Sequence, residues 1–327
     1  MPEIRRDPVS GTWVVVGYRY IHIDNKAICP FCPGNEDLTP PSIREVKGAE
    51  GFWKIRCFPA RNFLFVIEAS DERKGEGIYD KMANLGAHEI VVESPEHTKI
   101  FSHFSQSEIE LLLKFYQERV FDLKKDKRLR YIQVFKNHGE LAGSYIFHPH
   151  SHVLATPILP ERIERELSNA KEHYIRKERC LFCDIVKQEV RERKRTVAQN
   201  THFVSFCPFA SRFPFETWIL PKSHSPNFED ISDNEILSSL AQILLETMKR
   251  IEKLTNAYTI VYHTSPNLIK IEPESEEEQQ PLSDYFHWHI EIMPRDYRSS
   301  KYKREDEFYV NTLLPEEAAN ILRAQKI

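Results

Sequence analysis

The sequence predicts an α+β fold made of two copies of one unit, each an antiparallel sheet with one long helix. Three observations predict it: similar segments recur in the same order in both halves, an amphipathic helical pattern occurs once in each half, and short alternating segments surround it. Consecutive strands around a single helix favour a mostly antiparallel sheet. The two sheets could merge or face each other, and the sequence leaves that question open.

The repeat is visible as a constant spacing between similar segments. The segment "HEIVVESPEH" (88–97) and the segment "FETWILPKSH" (215–224) each run from a glutamate through β-forming residues and a proline to a histidine. Their glutamates, Glu89 and Glu216, are 127 residues apart. Near the ends of the two copies "FHPHSHV" matches "FHWHIEI", so the chain is predicted to be a duplication.

A helix and then a strand are predicted at matching places in both copies. Ser105 in "SQSE" and Ser232 in "SDNE" begin Ser-x-x-Glu patterns, which are typical of capping boxes at a helix start. Apolar residues then recur every three or four positions, as in a helix with one buried face. Alternating strands follow from Tyr131 and Tyr258, which are again 127 residues apart.

The chain is long enough for two domains, which are predicted at residues 1–170 and 171–327. The charged stretch 161–179 is predicted to be helical and to join them. The first copy carries an insertion of roughly two dozen residues, placed in the polar segment 68–86 because the spacing between the copies is larger upstream of it.

Composition excludes several classes of function. The formal net charge is -4, with 45 basic and 49 acidic side chains, so no broad positive field for nucleic acid is expected. No apolar run is long enough to cross a bilayer, and the segment "MPEIRRDPVSGTW" does not resemble a secretory signal. We therefore expect a cytoplasmic protein without nucleic-acid or membrane partners.

Cysteine spacing gives the first chemical signal. Six cysteines in a cytoplasmic protein favour metal sites or reactive thiols over a disulfide framework. Cys57 and Cys207 lie beside apolar residues and are predicted to be core thiols. The other four form two Cys-x-x-Cys pairs, Cys29 with Cys32 and Cys180 with Cys183.

Histidines at matching positions complete each pair to a candidate zinc site. Two thiolates and two imidazoles suit tetrahedral Zn²⁺, and four protein ligands leave no open position, so two structural zincs per chain are predicted. A redox role is the alternative, but "CPFCPG" disfavours the helix that a redox motif opens. The predicted ligands are Cys29, Cys32, His97 and His148 in the first copy and Cys180, Cys183, His224 and His287 in the second.

Three alternating histidines, His148, His150 and His152, lie in "FHPHSHV". On a strand they would project to one side, about 7 Å between neighbours. With His148 bound to zinc, His150 is left as a neutral imidazole, a competent nucleophile toward phosphorus because its ordinary pKa is about 6.5. The alternative is a strand with histidines on a solvated face. The preceding loop "NHGELAGSY" contains two glycines and a serine, and its backbone amides could face a phosphate.

Together, the strand His148-Pro149-His150 and the segments "CPFCPGNE", "SPEH" and "PFETWILPKSH" resemble the galactose-1-phosphate uridylyltransferase family of the histidine triad superfamily, which is related to ADP-glucose phosphorylase. The likeness covers nearly the whole chain. It implies a duplicated histidine-triad-like fold and a nucleotidyltransferase that works by double displacement. His150 would take the nucleotidyl group from a nucleotide sugar, and a sugar 1-phosphate or phosphate would accept it.

The resemblance also implies substrate-binding residues and a homodimer with sugar contacts shared between subunits. Tyr145 stands where some members have a serine near the α-phosphate, and His152 stands where the family usually has glutamine. A histidine there matches the superfamily's hydrolases, so His152 is a second candidate catalytic residue. The other positions that match the family's nucleotide contacts are Arg61, Asn62, Asn137, Gly143 and Ser144.

Three alternative functions stay open on this sequence. They are a phosphorylase acting on ADP-glucose or a dinucleotide, a nucleotide hydrolase in which water intercepts the intermediate, and a zinc-stabilised nucleotide-binding module without activity. The carboxyl-terminal segment "KYKREDEFYVN" is densely charged and lacks the glycine found where the family meets its sugar, so the sugar is not fixed either.

Overall fold

The computed structural model describes residues 2–18, 28–61, 64–267, 281–295 and 309–327. Within these ranges there are fourteen strands and six α-helices. The strands are β1 (Glu3–Arg6), β2 (Trp13–Val16), β3 (Arg44–Lys47), β4 (Trp53–Pro59), β5 (Arg73–Glu76), β6 (Tyr79–Ala83), β7 (Ala87–Val92), β8 (Tyr131–His138), β9 (His150–Thr156), β10 (Thr196–Gln199), β11 (Phe203–Phe206), β12 (Thr217–Pro221), β13 (Tyr258–His263) and β14 (His289–Pro294). The helices are α1 (Gln106–Leu123), α2 (Glu161–Lys177), α3 (Leu181–Glu192), α4 (Asn234–Ile251), α5 (Leu282–Tyr285) and α6 (Pro315–Ala324).

The two copies share one ten-stranded antiparallel sheet, so the predicted sheets merge. Its order is β10-β11-β12-β14-β13-β8-β9-β7-β4-β3, with five strands from each half. The halves join where β8 pairs with β13, and Phe135 lies opposite Val261 in this pairing. A second sheet, β2-β1-β6-β5, takes two of its four strands from the predicted insertion. The predicted α+β class is confirmed.

Helices α1 and α4 cover one face of the large sheet and contact each other. Their buried residues form one hydrophobic cluster with strands of both halves, so the halves share a core. We call this side the helix face. We call the opposite side, which carries His150 and His152, the histidine face. Helix α2 joins the halves and spans the predicted boundary at residue 170, which stays a prediction.

One of the two predicted helix caps is confirmed and the other is wrong. Ser105 caps α1 in a complete capping box with Glu108. At the start of α4, however, Asp233 is the capping residue and Ser232 is not, because the carboxylate of Asp233 accepts the amide of Glu235 at 2.7 Å. The spacing between the two caps is therefore 128 residues rather than 127.

Strand pairing corrects the matching of the copies by one residue. In the first half Phe135 pairs with His152, and in the second Val261 pairs with Glu291, so β8 and β13 match at a spacing of 126. The predicted match of Tyr131 with Tyr258 is wrong, because the two side chains lie on opposite faces of the sheet. The hydroxyl of Tyr258 donates to Glu252 beyond the end of α4.

The same correction applies to the paired glutamates. Glu89 pairs with Val153, and Thr217 pairs with the equivalent Ile292, so Thr217 is the counterpart of Glu89. Glu216 therefore matches His88 and lies on the histidine face. No helix among the described residues is long and apolar enough to cross a membrane.

Candidate active site and metal-binding groups

The first predicted metal group comes together from three separate segments. The Sγ of Cys32 lies 3.3 Å from Nδ1 of His97 and 3.5 Å from Nδ1 of His148, and the Sγ of Cys29 lies 3.8 Å from the latter. All four ligand atoms lie within 4.8 Å of one another. Sulfur and nitrogen ligands of a tetrahedral zinc ion are about 3.5 Å apart, so these three separations suit such an ion.

Backbone hydrogen bonds orient the donors of this group. The Cys29 and Cys32 turn is closed by Cys32 N donating to Cys29 O at 3.4 Å, and the side chain of Asn35 donates to the same oxygen at 2.8 Å. Nε2 of His148 donates to the carbonyl of Ser94 at 2.7 Å. That bond leaves the unprotonated Nδ1 facing the sulfurs, as metal ligation requires.

The second predicted group repeats this arrangement with Cys180, Cys183, His224 and His287. The Sγ of Cys183 lies 3.4 Å from Nδ1 of His224 and 3.5 Å from Nδ1 of His287. Nε2 of His287 donates to the carbonyl of Pro221 at 3.1 Å. One local difference is that Cys180 is the N-cap of α3, whereas the first pair lies in a turn. No proline or glycine directly follows Cys183, so α3 can continue through this residue.

His150 begins β9 on the histidine face and is buried. Its Nδ1 lies 2.7 Å from the carbonyl oxygen of His148, an acceptor, so Nδ1 must carry the proton. Nε2 then holds a free lone pair, and no described residue hydrogen-bonds it. Burial lowers the pKa of His150 to about 4, which keeps the ring neutral near pH 7. This arrangement can act as a nitrogen nucleophile.

A further histidine, His88, contacts His152. Nε2 of His88 lies 3.0 Å from Nδ1 of His152, whose ring stacks on Phe135 at 4.8 Å and lies 5.3 Å from the ring of His150. Burial lowers the pKa of both His88 and His152. His88 was not among the predicted residues, although its position at the head of "HEIVVESPEH" and the alternation along β7 place it on the histidine face.

The predicted phosphate loop leads directly into β9. Gly143 has φ +83°, a left-handed conformation that favours glycine. The hydroxyl of Ser144 is turned inward and donates to Ile146 O at 3.3 Å, and Tyr145 is exposed. The backbone amides of residues 145–147 donate to no described residue, so they are free to meet an anion.

The structure describes two of the three other residues that were predicted to bind substrate. Asn137 follows Phe135 by two positions in β8, so it projects from the histidine face. Arg61 is exposed and follows Ala60, whose amide donates to the carbonyl of His88 at 2.8 Å. The prediction for Asn62 lies outside the described residues.

A third group of possible metal ligands, Glu166, His263, His289 and Glu291, lies on the histidine face of the second half. Four buried atoms of this group have no hydrogen-bond partner among the described residues: both ring nitrogens of His263, Nε2 of His289 and Oε2 of Glu166. This group was not predicted from the sequence, because Glu166 comes from α2, far from the other three residues along the chain. The signal was the match of "FHWHIEI" to "FHPHSHV", which gives Glu291 the position of His152.

Two family models match the chain and together span most of it. The model described as galactose-1-phosphate uridyl transferase, N-terminal domain, matches residues 19–160, and the model of the C-terminal domain matches residues 166–302. An ADP-glucose phosphorylase of Arabidopsis thaliana is 30% identical over 98% of this chain and 92% of its own length. A galactose-1-phosphate uridylyltransferase of Thermotoga maritima is 28% identical over 100% of this chain and 99% of its own.

Solved structures agree with these matches. The structure of a uridylyltransferase superposes with a TM-score of 0.81 at 26% identity, covering 98% of this chain and 97% of the other. The crystal structure of an ADP-glucose phosphorylase from Arabidopsis thaliana with bound ADP-glucose gives 0.79 at 28% identity, covering 100% and 99%. On sequence and fold together, the chain belongs to the galactose-1-phosphate uridylyltransferase family, a family of enzymes.

Proposed function

We propose that this protein transfers a nucleoside monophosphate between a nucleotide sugar and a sugar 1-phosphate or phosphate, through a covalent nucleotidyl group on His150. One observation carries the proposal. The carbonyl of His148 holds the proton of His150 on Nδ1, so Nε2 carries the free lone pair. The names of the full-length relatives, a uridylyltransferase and an ADP-glucose phosphorylase, supply the substrate class.

The proposed reaction does not need water as a reactant. Nε2 of His150 attacks the α-phosphorus of the nucleotide sugar, a P–N bond forms, and the P–O bond to the sugar 1-phosphate breaks. The leaving phosphate keeps the electron pair, and Nδ1 keeps its proton. In the second step a phosphate oxygen of the acceptor attacks the same phosphorus, and the P–N bond returns its electron pair to Nε2.

The loop before β9 would hold the nucleotide phosphates. The free amides of residues 145–147 and the left-handed turn at Gly143 support this role, which the family resemblance assigns to Asn137, Gly143 and Ser144. The inward hydroxyl of Ser144 would act by shaping the loop. Arg61 and Asn62 would meet the nucleoside.

Zinc would occupy both groups of two cysteines and two histidines. The donor types and the 3.3 to 3.8 Å separations in the first group support it, as do the matching contacts of the second. Bound zinc would supply structural stability, and in the first half it would also fix His148, whose carbonyl orients His150. The third group offers two carboxylates and two imidazoles, a set suited to another divalent metal. Its ring nitrogens and carboxylate oxygens face one another at 3.5 to 3.9 Å, longer than good hydrogen bonds, which supports that assignment.

A nucleotide hydrolase is the second candidate, because His152 and its partner His88 lie beside His150. A neutral imidazole there can take a proton from water, which the usual glutamine cannot do. In that case water, rather than a phosphate, would remove the nucleotidyl group. Homodimer formation and a cytoplasmic location stay predictions.

The decisive experiment uses UDP-glucose and ADP-glucose labelled at the α-phosphorus. We expect acid-labile label on the wild-type protein and none on His150→Ala, while His103→Ala, an exposed histidine, serves as the matched control. Discharge of the label by galactose 1-phosphate, by inorganic phosphate or by water alone identifies transferase, phosphorylase or hydrolase. Absence of label from both nucleotides, together with normal nucleotide binding, would instead support a binding module.

A further inference from the structure

A buried ionic network lies directly behind His150, on the helix face of the sheet. Nζ of Lys136 donates to Oε2 of Glu93 at 2.7 Å, and the two side chains are only 4% and 0% exposed. The same Nζ donates to the carbonyl oxygen of His150 at 3.2 Å. The hydroxyl of Tyr116 lies 3.0 Å from the other oxygen of Glu93 and 2.7 Å from Oγ of Ser151.

These contacts form a closed ring on two consecutive residues. It begins at the carbonyl of His150, passes through Lys136, Glu93 and Tyr116, and returns at the side chain of Ser151. Because strand side chains alternate, the ring holds the backbone from one face while the imidazole projects from the other. The network therefore fixes the position from which His150 reaches phosphorus.

The second half folds in the same way without this network. Ile290 pairs with Ile219 as Ser151 pairs with Val91, and so replaces Ser151. By the same strand and helix matching, Tyr262 stands in for Lys136 and Leu244 for Tyr116. His289 nevertheless keeps the bond from its Nδ1 to the preceding histidine's carbonyl, at 3.1 Å. The fold thus does not require the network.

Burying a charged pair costs free energy, and apolar residues of similar volume often stabilise a core equally well. The first half keeps the pair where the nucleophile lies, and the second half, whose histidine is enclosed, uses the uncharged residues Leu244, Tyr262 and Ile290. We infer that Lys136 and Glu93 are positioning residues for His150, which hold its backbone during attack on the α-phosphorus. This inference rests on the proposed function.

The test removes both charges together, so that neither is left buried alone. We expect Lys136→Met with Glu93→Leu to fold and to bind nucleotide sugar with KM within about twofold of wild type, while the rate of label formation on His150 falls about 10²-fold, because small misplacements of reacting groups cost that much. Tyr116→Phe, which removes the hydroxyl that bonds both Glu93 and Ser151, should slow labelling several-fold. Lys136→Arg, which can still donate to Glu93 and the carbonyl, should retain more activity than the double variant.

Thr247→Val is the control, since Thr247 is a buried hydroxyl of α4 bonded to Ser205 at 3.0 Å, away from His150. It should alter stability and leave the labelling rate unchanged. Wild-type labelling rates in the double variant and in Tyr116→Phe would overturn the inference and leave the proposed function intact. If the double variant does not fold, Tyr116→Phe and Lys136→Arg decide alone. Absence of label on the wild-type protein would overturn the proposed function and this inference with it.

Discussion

His150 and His289 occupy matching positions in the two halves and are held in the same way. Each donates Nδ1–H to the carbonyl of a histidine in a candidate metal group, and each packs against the aromatic residue of the nearby Cys-x-x-Cys pair, Phe31 or Phe182. They differ in what lies beyond them. His289 is fully buried and stacks on His263 at 4.5 Å, with the ring planes 4° apart. The Nδ1–H bond is thus common to both histidines, and the proposed nucleophile His150 differs from His289 in remaining 7% exposed.

The charges of side chains on the neighbouring strands also differ between the two halves. His88 and His152 form a pair of neutral rings, whereas their counterparts Glu216 and Glu291 are bridged by the guanidinium of Arg212 at 2.6 and 2.8 Å. One half therefore presents groups that can exchange a proton, and the other presents a fixed set of ions. A single fold supports both because these two replacements lie on the histidine face, opposite the core that the halves share.

The largest difference in activity between variants of the two halves is expected at the proposed nucleophile, His150. His150→Ala should lower nucleotidyl transfer at least about 10³-fold, because no other described imidazole has both a free Nε2 and a place beside the loop that precedes β9. Steady-state rates with UDP-glucose and ADP-glucose measure it. Residual activity above that limit would mean that another residue carries the nucleotidyl group.

The two candidate zinc groups should respond differently to loss of one thiolate. Cys32→Ser should lower activity about 10- to 100-fold, because the freed His148 no longer fixes the carbonyl that orients His150. Cys183→Ser should lower the midpoint of thermal unfolding and change kcat less than about twofold. Each variant should lose about one zinc per chain by metal analysis. Equal losses of activity would contradict the division into two roles.

A smaller effect is expected from His152→Gln, which restores the residue usual in the family. Because an amide cannot take a proton from water, discharge of the labelled protein by water should slow about tenfold, while discharge by a phosphate acceptor should persist. Chase experiments with and without acceptor measure the ratio. His88→Gln, which removes the partner of His152, should move that ratio in the same direction and by less.

The smallest difference concerns the helix caps. Ser105→Ala removes half of a reciprocal capping box, and Asp233→Ala removes a single bond, so each should lower the free energy of unfolding by about 1 kcal/mol, with the larger loss at Ser105. Urea unfolding of the two variants, with Ser232→Ala as the control, measures it. A larger loss from Ser232→Ala than from Asp233→Ala would show that the predicted cap was right after all.

The parts of the site that depend on short spacing could be predicted from sequence, and those that depend on packing could not. Cys29 and Cys32 identify their group because two thiols three residues apart must face one point. The group around Glu166 was missed because its members come from α2, β13 and β14, which meet only in the folded sheet. The matches from Tyr131 and Glu89 were wrong by one residue, since small changes in spacing reverse the face of a strand and leave its composition unchanged.

The central pairing of β8 with β13 shows how a duplicated chain differs from two separate copies of the same unit. Its register is symmetric about Phe135 and Val261, as it would be between two separate identical molecules. Cutting the chain between β9 and α2 would leave β8 with a bare edge, which other strands could join. Fusion removes that hazard by supplying every first half with its own partner. The histidine face of the second half carries the ions Glu216, Glu291 and Arg212 where the first half has neutral side chains.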